Sequence, residues 1–208
     1  MIVETLHATS LRNYFMPKTK TKKVTPTKKA KRKVAASPEI AAPTNGTSKS
    51  QLSSLVKSAR DIMRKDAGLN GDLDRLPQLS WILFLKCFDD LEQRREAAAE
   101  MSNETYKPVI PKGYRWRDWA EDVDKGRTGP DLIKFVNDEL LPKLRVLNGA
   151  EERQVIAAVF GETYNRMLSG YLLRDVVNLM DGVNFNSSDD IFTLGHLYES
   201  MLKEMKAQ

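Results

Sequence analysis

The chain has one cysteine, Cys87, and two histidines, His7 and His196. A lone thiol excludes a disulfide framework and fits a reduced, cytoplasmic setting. Three such side chains are too few for the usual four-ligand zinc site. Glycine is sparse and never spaced as G-x-G, so there is no dinucleotide fingerprint and no glycine-rich cofactor turn. No glycine precedes a lysine, which excludes a P-loop, and no asparagine precedes a proline. The longest apolar stretch, Leu79 to Phe88, is interrupted by Ser80 and Lys86 and is too short to span a bilayer. These absences point away from an enzyme that works alone and away from a membrane protein.

What is present is divided unevenly. Residues 1–50 carry eleven basic and two acidic residues, a net +9, whereas residues 51–208 carry 22 basic and 26 acidic, a net −4. From Lys18 to Lys33 there are nine basic residues and no acid, followed by Ala, Pro, Asn, Gly and Ser. Such a stretch buries too little apolar surface to offset its ordering entropy, so residues 1–47 are expected to form a disordered basic tail. Met16 is an alternative start within it. Order is expected from residue 48 to residue 208.

That region reads as all-α, a compact domain of about five to seven helices. Ser48 and Gln51 have capping-box spacing, and Leu52, Leu55, Val56, Ala59, Ile62 and Met63 mark one helical face, with Gly68 as the expected stop. Asp72 or Asp74 is expected to cap the next helix, with Pro77 in its first turn. Trp81 to Leu91 is apolar nearly all round, which predicts the central buried helix; its polar end, Glu92–Glu100, is expected to fray. Residues 103–115 read as an irregular crossing, Trp116 and Trp119 as a short helical turn, and Asp131–Leu141 as a helix ended or kinked by Pro142. Val155–Phe160 is a short apolar run. Tyr171–Met180 reads as a helix, and Ser188–Met205 as the last one, carrying His196. No alternation long enough for a sheet occurs.

The segment Lys112-Gly113-Tyr114-Arg115-Trp116-Arg117-Asp118-Trp119 interleaves cations and aromatics, a composition suited to phosphate contact and base stacking. Large aromatics mostly fill cores, so the tryptophans are assigned there. Lys112, Arg115 and Arg117 stand as candidate contacts to DNA or a partner, with Arg94 and Arg95 as weaker ones. In the tail the candidates are Lys22, Lys23, Lys28, Lys29, Lys31, Arg32 and Lys33, a charge run that serves either phosphate binding or mere solubility. The acid pairs Asp89-Asp90 and Asp189-Asp190 read as a helix face and an N-cap, and Cys87 as a core thiol.

Three stretches together resemble one family. They are Leu55 to Arg64; the run Leu79-Ser80-Trp81-Ile82-Leu83-Phe84-Leu85-Lys86-Cys87-Phe88-Asp89-Asp90-Leu91-Glu92; and Asp189 to Leu202, which contains Gly195, Tyr198 and Glu199. In this order they are similar to the N-terminal helical domain of type I restriction-modification methylation subunits, over residues 51–206. The resemblance implies a domain that contacts target DNA and the specificity subunit. It closes around the duplex with a second methylation subunit, in an assembly that a restriction subunit can join. It also implies that S-adenosylmethionine and the adenine-N6 methyl transfer belong to a following domain, with its N-P-P-F/Y motif. This chain has no position matching that motif and is expected to end where that domain would begin. No catalytic, cofactor or metal residue is therefore carried over. The alternative is a stand-alone helical interaction protein tethered to nucleic acid by its tail.

Overall fold

The computed structural model describes residues 47–121 and 126–185. All of them lie in the unit Gly46–Gln208. The described residues form helices and no strands. The tail and the expected last helix, with His196, lie outside them.

Helix α1 (Lys49–Met63) opens with the capping box: the Ser48 amide donates to Gln51 Oε1 at 2.9 Å, and the Gln51 amide to Ser48 Oγ at 3.3 Å. Leu52, Val56, Ala59 and Met63 bury one face. The helix stops at Met63, before Gly68. Gly68 is needed for another reason: a Cβ there would lie 2.1 Å from the Arg166 carbonyl oxygen. Beside it, buried Asp66 accepts from the amides of Gly68, Leu168 and Ser169 at 2.8, 3.1 and 2.9 Å. One carboxylate thus joins the turn after α1 to the start of the final described helix.

Helix α2 (Asp72–Met101) runs thirty residues, about 45 Å at 1.5 Å per residue. Gly71, not an aspartate, occupies its N-cap; Asp72 and Asp74 sit in the first turn, where carboxylates complement the helix dipole. Pro77 lies deeper than the first turn, and the helix continues through it. Trp81, Ile82, Leu83, Phe84, Leu85, Cys87 and Phe88 are all buried, as an apolar surface facing every direction requires. The expected fraying at Glu92–Glu100 does not occur. The polar half is held by its own side chains: Glu92 is buried, Glu96 pairs with Arg117, and Arg95 pairs with Glu152 at 3.0 Å.

After the irregular crossing comes the single turn α3 (Trp116–Trp119). Helix α4 (Gly129–Lys134) passes into a π-helical stretch (Phe135–Leu140) and then α5 (Leu141–Arg145). The widening precedes Pro142, whose ring would clash with the residue 138 carbonyl in a regular α-helix. Helical structure therefore continues through Pro142 rather than ending there. Helix α6 (Glu151–Phe160) begins several residues before the apolar run that marks its end in the sequence. Helix α7 (Gly170–Asp181) is capped by Ser169, whose Oγ accepts from the Leu172 amide at 3.3 Å.

Helix α7 packs on α1, α2 and α4; α2 carries α3; α5 packs on α6. The approach of α4 to α7 requires glycine on both sides. Gly129 has φ +56°, and a Cβ on Gly170 would lie 1.7 Å from the Gly129 carbonyl oxygen. Phe84 meets Phe160 edge-on at 5.6 Å, joining α2 to α6. Trp119 touches Trp116 and Phe135 at 5.3 and 5.7 Å, joining α3 to the π-helical stretch.

Candidate functional site

The aromatic-basic segment folds as a turn laid against the middle of α2. Tyr114 donates its amide to the Pro111 carbonyl at 3.1 Å, and Gly113, at φ +93°, donates to Asp118 Oδ2 at 2.7 Å. Trp116 and Trp119 are buried, in agreement with their assignment to the core. Trp116 is also anchored by its polar edge, with Nε1 donating to Asp181 Oδ1 at 2.7 Å. Lys86 lies 3.9 Å from the same carboxylate oxygen and donates to Asp90 at 2.9 Å, while Asp90 accepts from the Phe185 amide at 3.0 Å. The Lys-x-x-x-Asp spacing of the central helix therefore builds a buried polar joint between α2, α3 and the end of α7.

The two arginines of the turn are engaged within the domain. Arg115 grips Asp118 with Nε and Nη2, both at 3.0 Å, and lies 3.7 Å from Glu96. The Asp118 hydrogen bond raises the Arg115 pKa; for Asp118, burial pushes its pKa up but the Arg115 and Gly113 donors outweigh it, holding it below the ordinary value. Arg117 donates Nε to both oxygens of Asp89, at 3.0 and 3.2 Å, and Nη1 to Glu96. Burial works against its charge, but Glu96 and Asp89 prevail and raise its pKa. Asp89 is 1 % exposed. Removing Arg117 would take the ion-pair partner from that buried carboxylate, to which Gln93 Nε2 also donates at 2.9 Å, so Arg117→Ala is expected to destabilise the fold.

Nearby, Glu92 holds the irregular crossing to α2. Its Oε1 accepts from Tyr106 Oη at 3.1 Å and from the Val109 amide at 2.6 Å. Burial is the main cause that raises its pKa against those donors, with Asp89 and Glu96 adding to it; burial and Glu92 push Tyr106 up to about 12. Arg95 reaches Glu152, and Arg94 Nε donates to the Asp90 carbonyl at 3.4 Å. Lys112 is exposed at the tip of the turn. The tail candidates, Lys22 to Lys33, lie outside the described residues.

Two cations that sequence spacing did not single out stand beside the turn. The Arg127 guanidinium lies 4.6 Å over the Phe135 ring, and the Lys143 ammonium 5.9 Å from the Tyr114 centroid; Tyr114 in turn stacks on Phe135 at 6.4 Å. Tyr114 was the available signal, but its partners come from α5 and the π-helical stretch, and Arg127 joins the group through Phe135.

A groove lined by Gly129, Pro130, Ile133, Lys134, Leu168 and Tyr171 lies where α4 and α7 meet, and its two glycines serve the close approach of those helices. No helix among the described residues is long and apolar enough to cross a membrane.

Comparison with known proteins places this architecture. A family model described as the HsdM N-terminal domain matches residues 52–180. The Type I restriction enzyme EcoEI methylase subunit of Escherichia coli is 41% identical over 160 residues, covering 75% of this chain and 32% of that protein. The crystal structure of a modification subunit of a putative type I restriction enzyme from Vibrio vulnificus YJ016 superposes with TM-score 0.73 at 49% identity, covering 79% of this chain and 37% of that one. A chain from a structure of the type I R-M system, described in terms of complex assembly and conformational transition, gives TM-score 0.62 at 35% identity, covering 76% and 31%. The chain thus spans about a third of the length of these relatives. The buried Lys86–Asp90 joint, the tryptophan turn and the helical order lie within the matched residues, and the chain belongs to the HsdM N-terminal domain family of type I restriction-modification methylase subunits.

Proposed function

We propose that this chain serves as the assembly domain of a type I modification subunit, joining it to the specificity subunit and helping to clamp target DNA, in the bacterial or archaeal cytoplasm. The observation that carries the reading is the 49%-identical superposition on a modification subunit, confined to about a third of that subunit's length. The described body adds physical support. Its buried polar side chains are spent on fixing helices to one another, as a docking platform needs. S-adenosylmethionine and the methyl transfer are assigned to the remainder of the subunit. A second modification subunit and a restriction subunit are the further partners of the assembled enzyme.

The test is sedimentation of the full chain with a type I specificity subunit from the same enzyme, with and without a duplex carrying its target. A discrete complex, tightened by the duplex, supports the reading. Independent sedimentation of the two proteins at micromolar concentration, duplex present, overturns it.

A further inference from the structure

We infer that the surface formed by Lys112, Tyr114, Arg127 and Lys143 is a contact for the sugar-phosphate backbone of duplex DNA, in place of the Arg115–Arg117 pair that sequence spacing suggests. The inference rests on the DNA part of the proposed function and assigns it to residues. Arg115 and Arg117 are neutralised by Asp118, Asp89 and Glu96. Arg127, Lys143 and Lys112 are exposed, and no ion pair among the described residues joins them to a carboxylate.

The geometry suits a phosphate. Phe135 is 3 % exposed and lies beneath both Tyr114 and the Arg127 guanidinium. A guanidinium lying over a ring loses water from its face but keeps its in-plane N–H donors, the fork that matches two phosphate oxygens. Lys143, against Tyr114, adds a second donor, and Lys112 a third on a turn held by Gly113 and Asp118. Arg127 and Lys143 thus rest on aromatic rings, which limits the side-chain freedom lost on binding, while Lys112 projects from a fixed turn. Residues 51–208 carry a net −4, so a DNA surface on this body must be local, and this cluster is local.

The experiment uses the full chain and a fluorescein-labelled 20-base-pair duplex, with anisotropy read across a salt series. Lys18, Lys20, Lys22, Lys23, Lys28, Lys29, Lys31, Arg32 and Lys33 are changed to Gln, which leaves residues 1–50 with two basic and two acidic residues and gives a tail-neutral background. In that background the triple variant K112Q/R127Q/K143Q is expected to lower the slope of log affinity against log salt by roughly two to three, near 0.9 per lost phosphate contact. The melting temperature should stay unchanged. The double variant K112Q/K143Q, which leaves Arg127 on Phe135, should lower the slope by roughly two and guards against a packing effect. An unchanged slope, or no binding by the tail-neutral chain, overturns the inference. Binding to the specificity subunit would then still stand or fall by its own sedimentation. Equal displacement of the duplex by polyglutamate would assign the surface to an acidic protein instead and likewise overturn it.

Discussion

Arg117 donates to both oxygens of Asp89, at 3.0 and 3.2 Å, and so ties the tryptophan turn to the middle of the thirty-residue helix. Asp89 is almost wholly buried, whereas Arg117 keeps a fifth of its side chain exposed. Breaking a buried pair costs about 3–5 kcal/mol, mostly from the charge left behind. Arg117→Ala is expected near the low end of that range, because water can reach the vacated side. Adding Asp89→Asn removes the stranded charge and should recover a large part of the loss. Urea denaturation of both variants checks this. A double variant no more stable than R117A would mean that Asp89 is not what makes Arg117 necessary.

The carboxyl of Glu92 predicts a pH dependence of definite sign. Burial raises its pKa in the folded state above the ordinary 4.5. From 4.5 up through the raised value the folded state binds more protons than the unfolded one, so this residue's contribution falls as pH rises. Asp72 and Asp118 act oppositely. Burial opposes their ionisation, but Arg60 and Arg75 for the first, and Arg115 for the second, hold them below 3.8, so their contribution is lost as pH falls below that value. Glu92→Gln keeps an oxygen for Tyr106 and Val109 and should flatten the stability profile above 4.5 while leaving the limb below 3.8. Denaturant midpoints from pH 3 to 8 are the measurement (roughly the span over which carboxylates titrate). A variant profile parallel to the parent's above 4.5 would contradict the assignment.

Phe84 bridges Phe160 and Phe88 with ring centroids 5.6 and 6.1 Å away. Phe84→Ala should cost about 3–5 kcal/mol, a large part of a domain's stability. Thermal melts test it together with binding to the specificity subunit. A variant that melts like the parent but loses its partner would make this helix an interface instead of the core.

The one-turn spacing of Leu52, Val56, Ala59 and Met63, and the all-round apolarity of Trp81–Phe88, made α1 and the central helix legible from residues alone, because burial leaves its period in the sequence. The capping box at Ser48 was legible for the same local reason. The persistence of α2 through Glu92–Glu100 was not. Its stability comes from Arg117, Tyr106 and Glu152, residues brought to it only by the fold. Gly68 read as a helix stop because close backbone approach and helix termination both select glycine. In the candidate site, the tryptophans declared themselves by size. The arginines did not, since a cation beside an aromatic looks the same in sequence whether its carboxylate is a neighbouring helix or nothing. Arg127 and Lys143 could be joined to Tyr114 only by tertiary structure.

The proposed division of labour assigns S-adenosylmethionine to the remainder of the subunit, so calorimetric titration of the full chain with the cofactor should give no saturable heat. Saturable one-to-one binding would place a cofactor site where the proposed division of labour has none.

The assembly role is tested most directly by competition. An intact type I modification subunit and its specificity subunit methylate target DNA, and the present chain, taken from the same enzyme, is added in rising excess. If it occupies the place of the modification subunit's own helical domain, methyl transfer should fall progressively toward zero, and fall less for Arg117→Ala in proportion to its unfolded fraction. Methylation that holds at its starting rate under a saturating excess of folded chain would contradict the account.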